Sequence, residues 1–411
     1  MNMEKLGKYC KIISGYAFKS NDLSEGTEIP VIKIGNISNG NDVIIDSSTQ
    51  YVSSDFLSID EKYHIKKGDV LISLTGSHIN QPNSMVGRSC RNFSDTEFLL
   101  NQRAGKVIPN ENADKNYLYY LLNTESFKYS ICNRAYGAAN QANVSPSDIE
   151  NIKWNFPPLP TQQKIASILS AYDNLIQNYK KQIEALQTAA SELYKEWFVR
   201  FRFPGWQNAK FENGIPEGWS ICRLKDFGKV ITGKTPPTEK EEYYGGDVMF
   251  VKTPDMHGNM FVQSTSEYLS KLGCEYQKAQ YLPENSIMVS CIGTGGITAI
   301  NAYPANTNQQ INSIILKDKK YLPWLYFTIS NMKETIEMFG NTGTTMTNLS
   351  KGKFEKLKVV KPEHSIIQTF ENKVSPLFEQ IKNLNKQITN LTQQRDLLLP
   401  RLMSGKLEVL K

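Results

Sequence analysis

Gln163-Lys164-Ile165 opens a stretch in which Leu169, Tyr172, Ile176, Tyr179, Ile183, Leu186, Ala190, Leu193 and Trp197 follow at alternating spacings of three and four. Such sustained alternation is the seam of a coiled coil, narrower than the stripe of an ordinary surface helix. The pattern returns 205 residues later in Val374, Leu377, Ile381, Leu384, Ile388, Leu391, Arg395, Leu398 and Leu402, again preceded by a glutamine, Gln368, ahead of Phe370. Two seam helices in one chain are natural partners for each other. Arg395, standing where the first copy has Ala190, either fixes register or faces a partner.

The duplication extends upstream of both helices. Leu6, Tyr9, Lys11, Ile12, Ile13, Ser14 and Gly15 correspond to Leu224, Phe227, Lys229, Val230, Ile231, Thr232 and Gly233. Val31-Ile32-Lys33 matches Phe250-Val251-Lys252, and Val70-Leu71-Ile72-Ser73 matches Ile287-Met288-Val289-Ser290. Asn101-Gln102 pairs with Asn308-Gln309, Tyr117-Leu118 with Tyr321-Leu322, and Asn143-Val144-Ser145 with Asn348-Leu349-Ser350. The order never changes while the offset drifts from 218 to 205, as insertions in surface loops would cause. The repeat therefore divides the chain into a first head, 1–160, a first spacer helix, 161–202, a second head, 203–362, and a second spacer helix, 363–411.

Within the heads, β-branched and aromatic runs at Pro30–Ile34, Asp69–Leu74, Asp247–Lys252 and Ser286–Cys291 sit between Gly, Asn, Pro and Ser clusters and predict strands. Asn116–Tyr129 and Tyr321–Met338 predict helices, giving an α+β head. Pro157-Pro158-Leu159-Pro160 and Lys361-Pro362 break regular structure before each long helix. The expected fold is α+β: two repeated, mostly-β heads separated by two long antiparallel coiled-coil helices, pseudo-two-fold symmetric. A helix of about 40 residues is about 60 Å long, so such a chain could measure the distance between two sites on something extended.

Composition fits this partition. With 40% hydrophobic and 21% charged residues, 411 residues can supply two cores of ordinary size. No apolar run approaches a membrane span and Met1-Asn2-Met3-Glu4-Lys5 is no secretory leader, so the expected location is cytoplasmic. Six scattered cysteines and four dispersed histidines point to reduced thiols and no metal site.

Several strings in this framework resemble those of a known family. They are Pro157-Pro158-Leu159-Pro160-Thr161-Gln162-Gln163-Lys164-Ile165, Tyr194-Lys195-Glu196-Trp197-Phe198, Ile215-Pro216-Glu217-Gly218-Trp219 and Leu398-Leu399-Pro400-Arg401-Leu402-Met403-Ser404-Gly405-Lys406. In this order they resemble the specificity subunit of type I restriction-modification enzymes. The resemblance implies two target-recognition domains, each reading one half of a bipartite asymmetric site on double-stranded DNA, with helices that set the spacer. It also implies docking of two modification (methyltransferase) subunits and of restriction (translocase-nuclease) subunits. The chain would be non-catalytic and carry no cofactor, with S-adenosylmethionine, ATP and Mg held by partner subunits. Two other readings keep the architecture: a related system whose partner fuses methyltransferase and nuclease, and a coiled-coil tether whose heads no longer read DNA.

Charge and motifs test that implication. Residues 1–160 carry 16 basic and 17 acidic side chains, against 19 and 15 for residues 201–362, so the first head lacks the net charge that drives nonspecific phosphate binding. Gly228-Lys229-Val230-Ile231-Thr232-Gly233-Lys234-Thr235 spells a P-loop, but Val230-Ile231 reads as strand and Pro237 keeps Pro236 from helical conformation. Asn155-Phe156-Pro157-Pro158 has one residue too many for an amino-methyltransferase site. Pro254-Asp255 with Asp318-Lys319-Lys320 is too widely separated for a nuclease set, and Gly293-Thr294-Gly295-Gly296 permits a tight turn or close backbone approach.

Base readout favours Arg, Lys, Asn and Gln in loops and at strand ends. Candidates in the first head are Lys19, Lys33, Asn36, His78, Asn80, Gln81, Arg88, Arg103, Asn140 and Gln141. In the second they are Lys234, Lys252, Asp255, His257, Thr294, Gln309, Gln310 and Thr344. Residues shared by both copies suit structure or phosphate binding better than two different half-sites. Tyr16, Tyr136 and Phe261 could stack on bases or pack internally.

Overall fold

The computed structural model describes residues 3–26, 28–78, 81, 84–138, 141–341 and 347–409. The chain forms two compact units, Met1–Asn178 with Asn390–Lys411, and Tyr179–Thr389.

In unit one the central sheet has the order Cys10–Ser14, Ala104–Pro109, Val70–Ser73, Ser89–Arg91, antiparallel throughout. A second sheet orders Gln50–Val52, Ile29–Ile32, Phe98–Leu100 and His64–Ile65, with Ile29–Ile32 parallel to Phe98–Leu100. Val70–Ser73 is buried along its whole length because both faces are covered. Its alternation sends Val70 and Ile72 into the core shared with the helices and Leu71 into a smaller core with Ile32 and Phe98.

Unit two repeats the design. Its sheet runs Gly228–Thr232, Ile311–Leu316, Ile287–Ser290, Thr298–Asn301, with Phe261–Val262 added at the edge. Ile287 and Val289 face the larger core and Met288 the smaller. Tyr244–Val251 lies parallel to Ala305–Thr307, as its counterpart does in unit one. A type I′ hairpin lies near the start of this head: Asn213 and Gly214 both have positive φ, 50° and 81°, between Phe211–Glu212 and Ile215–Pro216.

Each predicted head helix divides in two. Asn116–Tyr129 is instead Lys115–Asn123 and Glu125–Cys132, separated by an extended Thr124 whose hydroxyl donates to Leu121 O at 2.8 Å and accepts Phe127 N at 3.4 Å. Thr124 thus closes one helix and caps the next. Tyr321–Met338 likewise becomes Leu322–Ser330 and Lys333–Gly340.

The two long helices are Leu159–Tyr194, which continues through a π turn at Lys195–Val199, and His364–Met403. Fully buried Gln162 anchors the first: its oxygen accepts Asp114 N at 3.1 Å and its nitrogen donates to Pro157 O at 2.9 Å. Within unit one, Ile165, Ala166 and Leu169 share a core with Leu402 and Met403. Within unit two, Ala190, Tyr194 and Trp197 share one with Ile367, Phe370 and Val374. The start of each helix therefore meets the end of the other, so they run antiparallel. Leu169, Ile176, Ile183, Val374, Ile381 and Leu384 are buried; Tyr172, Tyr179, Leu186, Leu193, Leu377, Ile388, Leu391 and Leu398 are half-buried, as a narrow seam requires. Because these helices complete the cores of the heads, the compact units divide mid-helix rather than at the ends of the spacer segments read from the sequence.

Asp173 is also buried in this packing. Asp173 Oδ1 accepts Arg395 Nη1 at 2.7 Å, while Oδ2 accepts Arg91 Nη2 at 3.2 Å and Tyr120 OH at 2.5 Å. Burial works against the Arg395 charge, but the bonds to Asp173 and Asp396 outweigh it and hold the guanidinium well above its ordinary pKa.

Candidate nucleic-acid interface

Both heads carry the same backbone frame at one edge. Gly15 N donates to Ala104 O at 3.0 Å, Tyr16 N to Leu100 O at 2.8 Å, Leu74 N to Arg103 O at 3.0 Å and Val144 N to Leu74 O at 2.9 Å. In the second head the same four bonds join Gly233 to Ile311 (3.0 Å), Lys234 to Thr307 (2.9 Å), Cys291 to Gln310 (2.7 Å) and Leu349 to Cys291 (2.8 Å). Glycine is required at the crossing point: a Cβ on Gly15 would lie 2.3 Å from Leu100 O, and one on Gly233 2.2 Å from Asn308 O. A short ribbon completes each frame, Thr75–Gly76 against Gln141–Asn143 and Ile292–Gly293 against Thr347–Asn348.

The frame is common but the side chains it presents differ. In the first head Gln102, Arg103 and Gln141 are exposed, with exposed Gln81 and half-buried His78 on the loop that follows the ribbon. In the second, exposed Lys234, Gln309 and Thr294 occupy the related places, beside half-buried Gln310. Thr235 Oγ1 donates to Gln309 Oε1 at 2.5 Å, and Asn308 Nδ2 to Gln310 Oε1 at 3.1 Å, which orients both amides. The shared asparagines serve the turn: Asn101 is buried and its N–H bonds Ile32 O at 3.0 Å, as that of Asn308 bonds Val251 O at 3.1 Å. Tyr16 and Lys234 hold equivalent positions; Tyr16 turns into an aromatic cluster with Phe18 and Tyr63, whereas Lys234 lies 4.4 Å over the exposed Tyr276 ring.

Other candidates have structural employment. Asn36 is buried and bonds Lys33 N, Ile44 O and Thr49 Oγ1 at 2.9, 2.8 and 3.0 Å, which commits its amide to the fold. Arg88 is also an internal strut, donating to Met85 O at 3.2 Å and Ile34 O at 2.9 Å. Asp255 caps the turn Thr253–Met256 through Lys252 N at 2.8 Å and also accepts Ser266 N at 3.0 Å. Lys252 pairs with Glu267 at 2.8 Å. Lys33 bonds Gln50, and its burial holds its pKa below the ordinary lysine value. Lys19 and His257 are exposed. Asn80, Asn140 and Thr344 lie outside the described residues. Tyr136 is 62% exposed on a further strand, Tyr136–Ala138, that pairs with Gln141–Asn143, whereas Phe261 is buried against Phe378.

The catalytic spellings resolve into packing. Gly228–Thr232 is a strand paired to Ile311–Leu316, and its first glycine would meet Ile315 O at 2.2 Å with any Cβ, so this stretch forms no phosphate-cradling loop. Phe156 stacks on Tyr9 at 3.8 Å, and Asp318 bonds its own turn at Lys320 N. Gly293 and Gly296 have positive φ, and a Cβ on Gly296 would lie 2.8 Å from Lys333 Cα, so this turn makes room for a helix of the same head. Burial pushes the Cys10 and Cys90 thiols up to about 12. Among the described residues no three His, Cys, Asp or Glu side chains are grouped as metal ligands, and no helix is long and apolar enough to cross a membrane.

A tandem α+β chain with paired long helices, carrying one frame twice with different exposed side chains, is the class of protein defined here. A family profile described as the type I restriction modification DNA specificity domain matches residues 1–188 and again 216–393, and the chain belongs to this family. It is 31% identical over 418 aligned positions to the type I restriction enzyme HindI specificity subunit of Haemophilus influenzae, covering 84% of this chain and 88% of that one. To the MjaIX specificity subunit of Methanocaldococcus jannaschii it is 31% identical over 322 positions, covering 76% and 73%. The crystal structure of a type I restriction-modification S subunit from M. genitalium has the same fold, with a TM-score of 0.58 at 16% identity over 98% of this chain and 95% of that one.

Proposed function

We propose that this chain is the non-catalytic DNA reader of a type I restriction-modification enzyme, with each head reading one half of a bipartite, asymmetric target. The observation that carries the reading is the duplicated frame: identical backbone bonds support Arg103 in one head and Gln310 in the other, each beside a shared glutamine, Gln102 or Gln309. Like frames with unlike side chains suit two different half-sites, since Arg favours guanine and Gln adenine. The unread interval would follow from the length of the long helices, each of which runs from one compact unit into the other. Modification subunits would dock on outward helix positions and bring S-adenosylmethionine; restriction subunits would bring ATP and Mg.

The test is to purify the chain with its adenine methyltransferase partner and map the methylated adenines. Gln102→Ala with Arg103→Ala should relax only one half of the recovered motif, and Gln309→Ala with Gln310→Ala only the other. Changes in the same half from both pairs, or an unaltered motif from both, would refute the assignment.

A further inference from the structure

The two halves differ in chemistry at the level of Asp173. In unit one its carboxylate, 4% exposed, holds Arg395, Arg91 and Tyr120 together. The 205-residue repeat places Phe378 where Asp173 stands and Ala190 where Arg395 stands. Strand register equates Arg91, opposite Val70, with Ile300, opposite Ile287. The match of Tyr117-Leu118 to Tyr321-Leu322 equates Tyr120 with Trp324. All four counterparts are apolar, buried and in one core of unit two. A polar cluster in one half has thus been replaced throughout by a hydrophobic one in the other.

We propose that this centre is a pairing code, through which each half accepts the other half of the chain and rejects a second copy of itself. If two second-half seams met antiparallel, Arg395 of one copy would face Phe378 of the other. Its side chain, 13% exposed in the native pairing, would lose the buried Asp173 carboxylate and keep only the exposed Asp396 of its own helix. If two first-half seams met, Asp173 would face Ala190 and lose the Arg395 contact. An apolar seam would match itself as well as its complement, whereas one polar contact selects the partner and the register. The duplication supplies two interchangeable backbones, and this centre makes them unequal. The inference stands independently of what the heads bind.

The test uses full-length chains carrying two different affinity tags, denatured, mixed and refolded together at micromolar concentration. Mixed-tag species are then counted by tandem capture and their mass measured by light scattering. Exchange that preserves the native pairing uses identical contacts within and between chains, so it contributes equally to every variant and cancels in the comparison. Arg395→Met, which frees the second-half seam to pair with itself, should raise the mixed fraction about tenfold over wild type. Arg395→Lys should stay near the wild-type level because it keeps the cation. An Arg395→Met chain with native circular dichroism and an unchanged mixed fraction overturns the proposal. Should that variant fail to fold, D173F/R91I/R395A, which copies the unit-two chemistry, is read the same way, and equality with wild type again overturns it.

Discussion

Replacing Asp173 by alanine should destabilise one compact unit and leave the other untouched. The substitution removes the acceptor for Arg395 Nη1 at 2.7 Å, Arg91 Nη2 at 3.2 Å and Tyr120 OH at 2.5 Å, and leaves Arg91 without its carboxylate and Arg395 with only the exposed Asp396. Breaking a buried ion pair by removing one partner costs about 3–5 kcal/mol. Asp173→Asn, which keeps an acceptor oxygen for the same donors, should cost roughly half as much, about 1.5–2.5 kcal/mol. Urea unfolding followed by two probes distinguishes the units. Four of the five tryptophans, Trp197, Trp206, Trp219 and Trp324, belong to unit two, so fluorescence reports mainly on that unit while far-ultraviolet circular dichroism reports on both. Asp173→Ala should draw an early phase out of the dichroism curve and leave the fluorescence midpoint in place. A loss below about 1 kcal/mol would mean that Asp173 does not organise these cations, and a shifted fluorescence transition would mean that its effect is not confined to unit one.

Further outcomes can be checked separately. Gly233→Ala should lower the melting temperature of unit two, because its Cβ would sit 2.2 Å from the Asn308 carbonyl oxygen and overpacking against backbone costs about 1–3 kcal/mol; a Tm within error of wild type would contradict the crossing geometry. Lys128, whose pKa burial lowers to about 8, gives a pH signature. The unfolded chain keeps that proton up to its higher ordinary pKa, so the penalty for the charged form is present below about 8 and is relieved as pH rises from about 8 to 10.5. Unit-one stability relative to Lys128→Met should therefore rise across that window by about 1–2 kcal/mol, after discounting for partial water contact; a flat difference would count against it. The isolated chain should bind its DNA target weakly, because its first head has 16 basic against 17 acidic residues. Tight, salt-resistant binding by the pure chain would contradict that expectation, while added modification subunits should raise affinity.

The architecture was legible because it is written twice and with a clear period. The alternation at Leu169 to Trp197 identifies its seam without any tertiary information, and strings such as Val70-Leu71-Ile72-Ser73 recur with their strand partners. Thr124 could not be read as a break, since nothing local distinguishes a helical threonine from one that bridges two helices. Asp173 was missed for a different reason. It follows the seam residue Tyr172, and only the return of the head's own Arg91 and Tyr120 onto the helix turns a surface-looking carboxylate into a buried one. In the interface, Asn101-Gln102 and Asn308-Gln309 located the frame, but not the division of labour within it: asparagine holds the turn and glutamine faces outward. Asn36 and Arg88 show the limit of composition, because polar residues in Gly- and Asn-rich sequence look solvated even when the fold closes over them.

Because each head borrows its floor from both long helices, grafting a new head is also a problem of cutting helices. A junction at Pro160 or Lys361 would set a foreign underside on native Leu169, Leu402, Trp197 or Phe370 and leave mismatched cores. Cuts beside Asn178 and Thr389, in mid-helix, transfer a head together with the surfaces that complete it. Chimaeras of this protein should therefore remain soluble when joined at those two places, where a sequence-minded designer would be least inclined to break the chain.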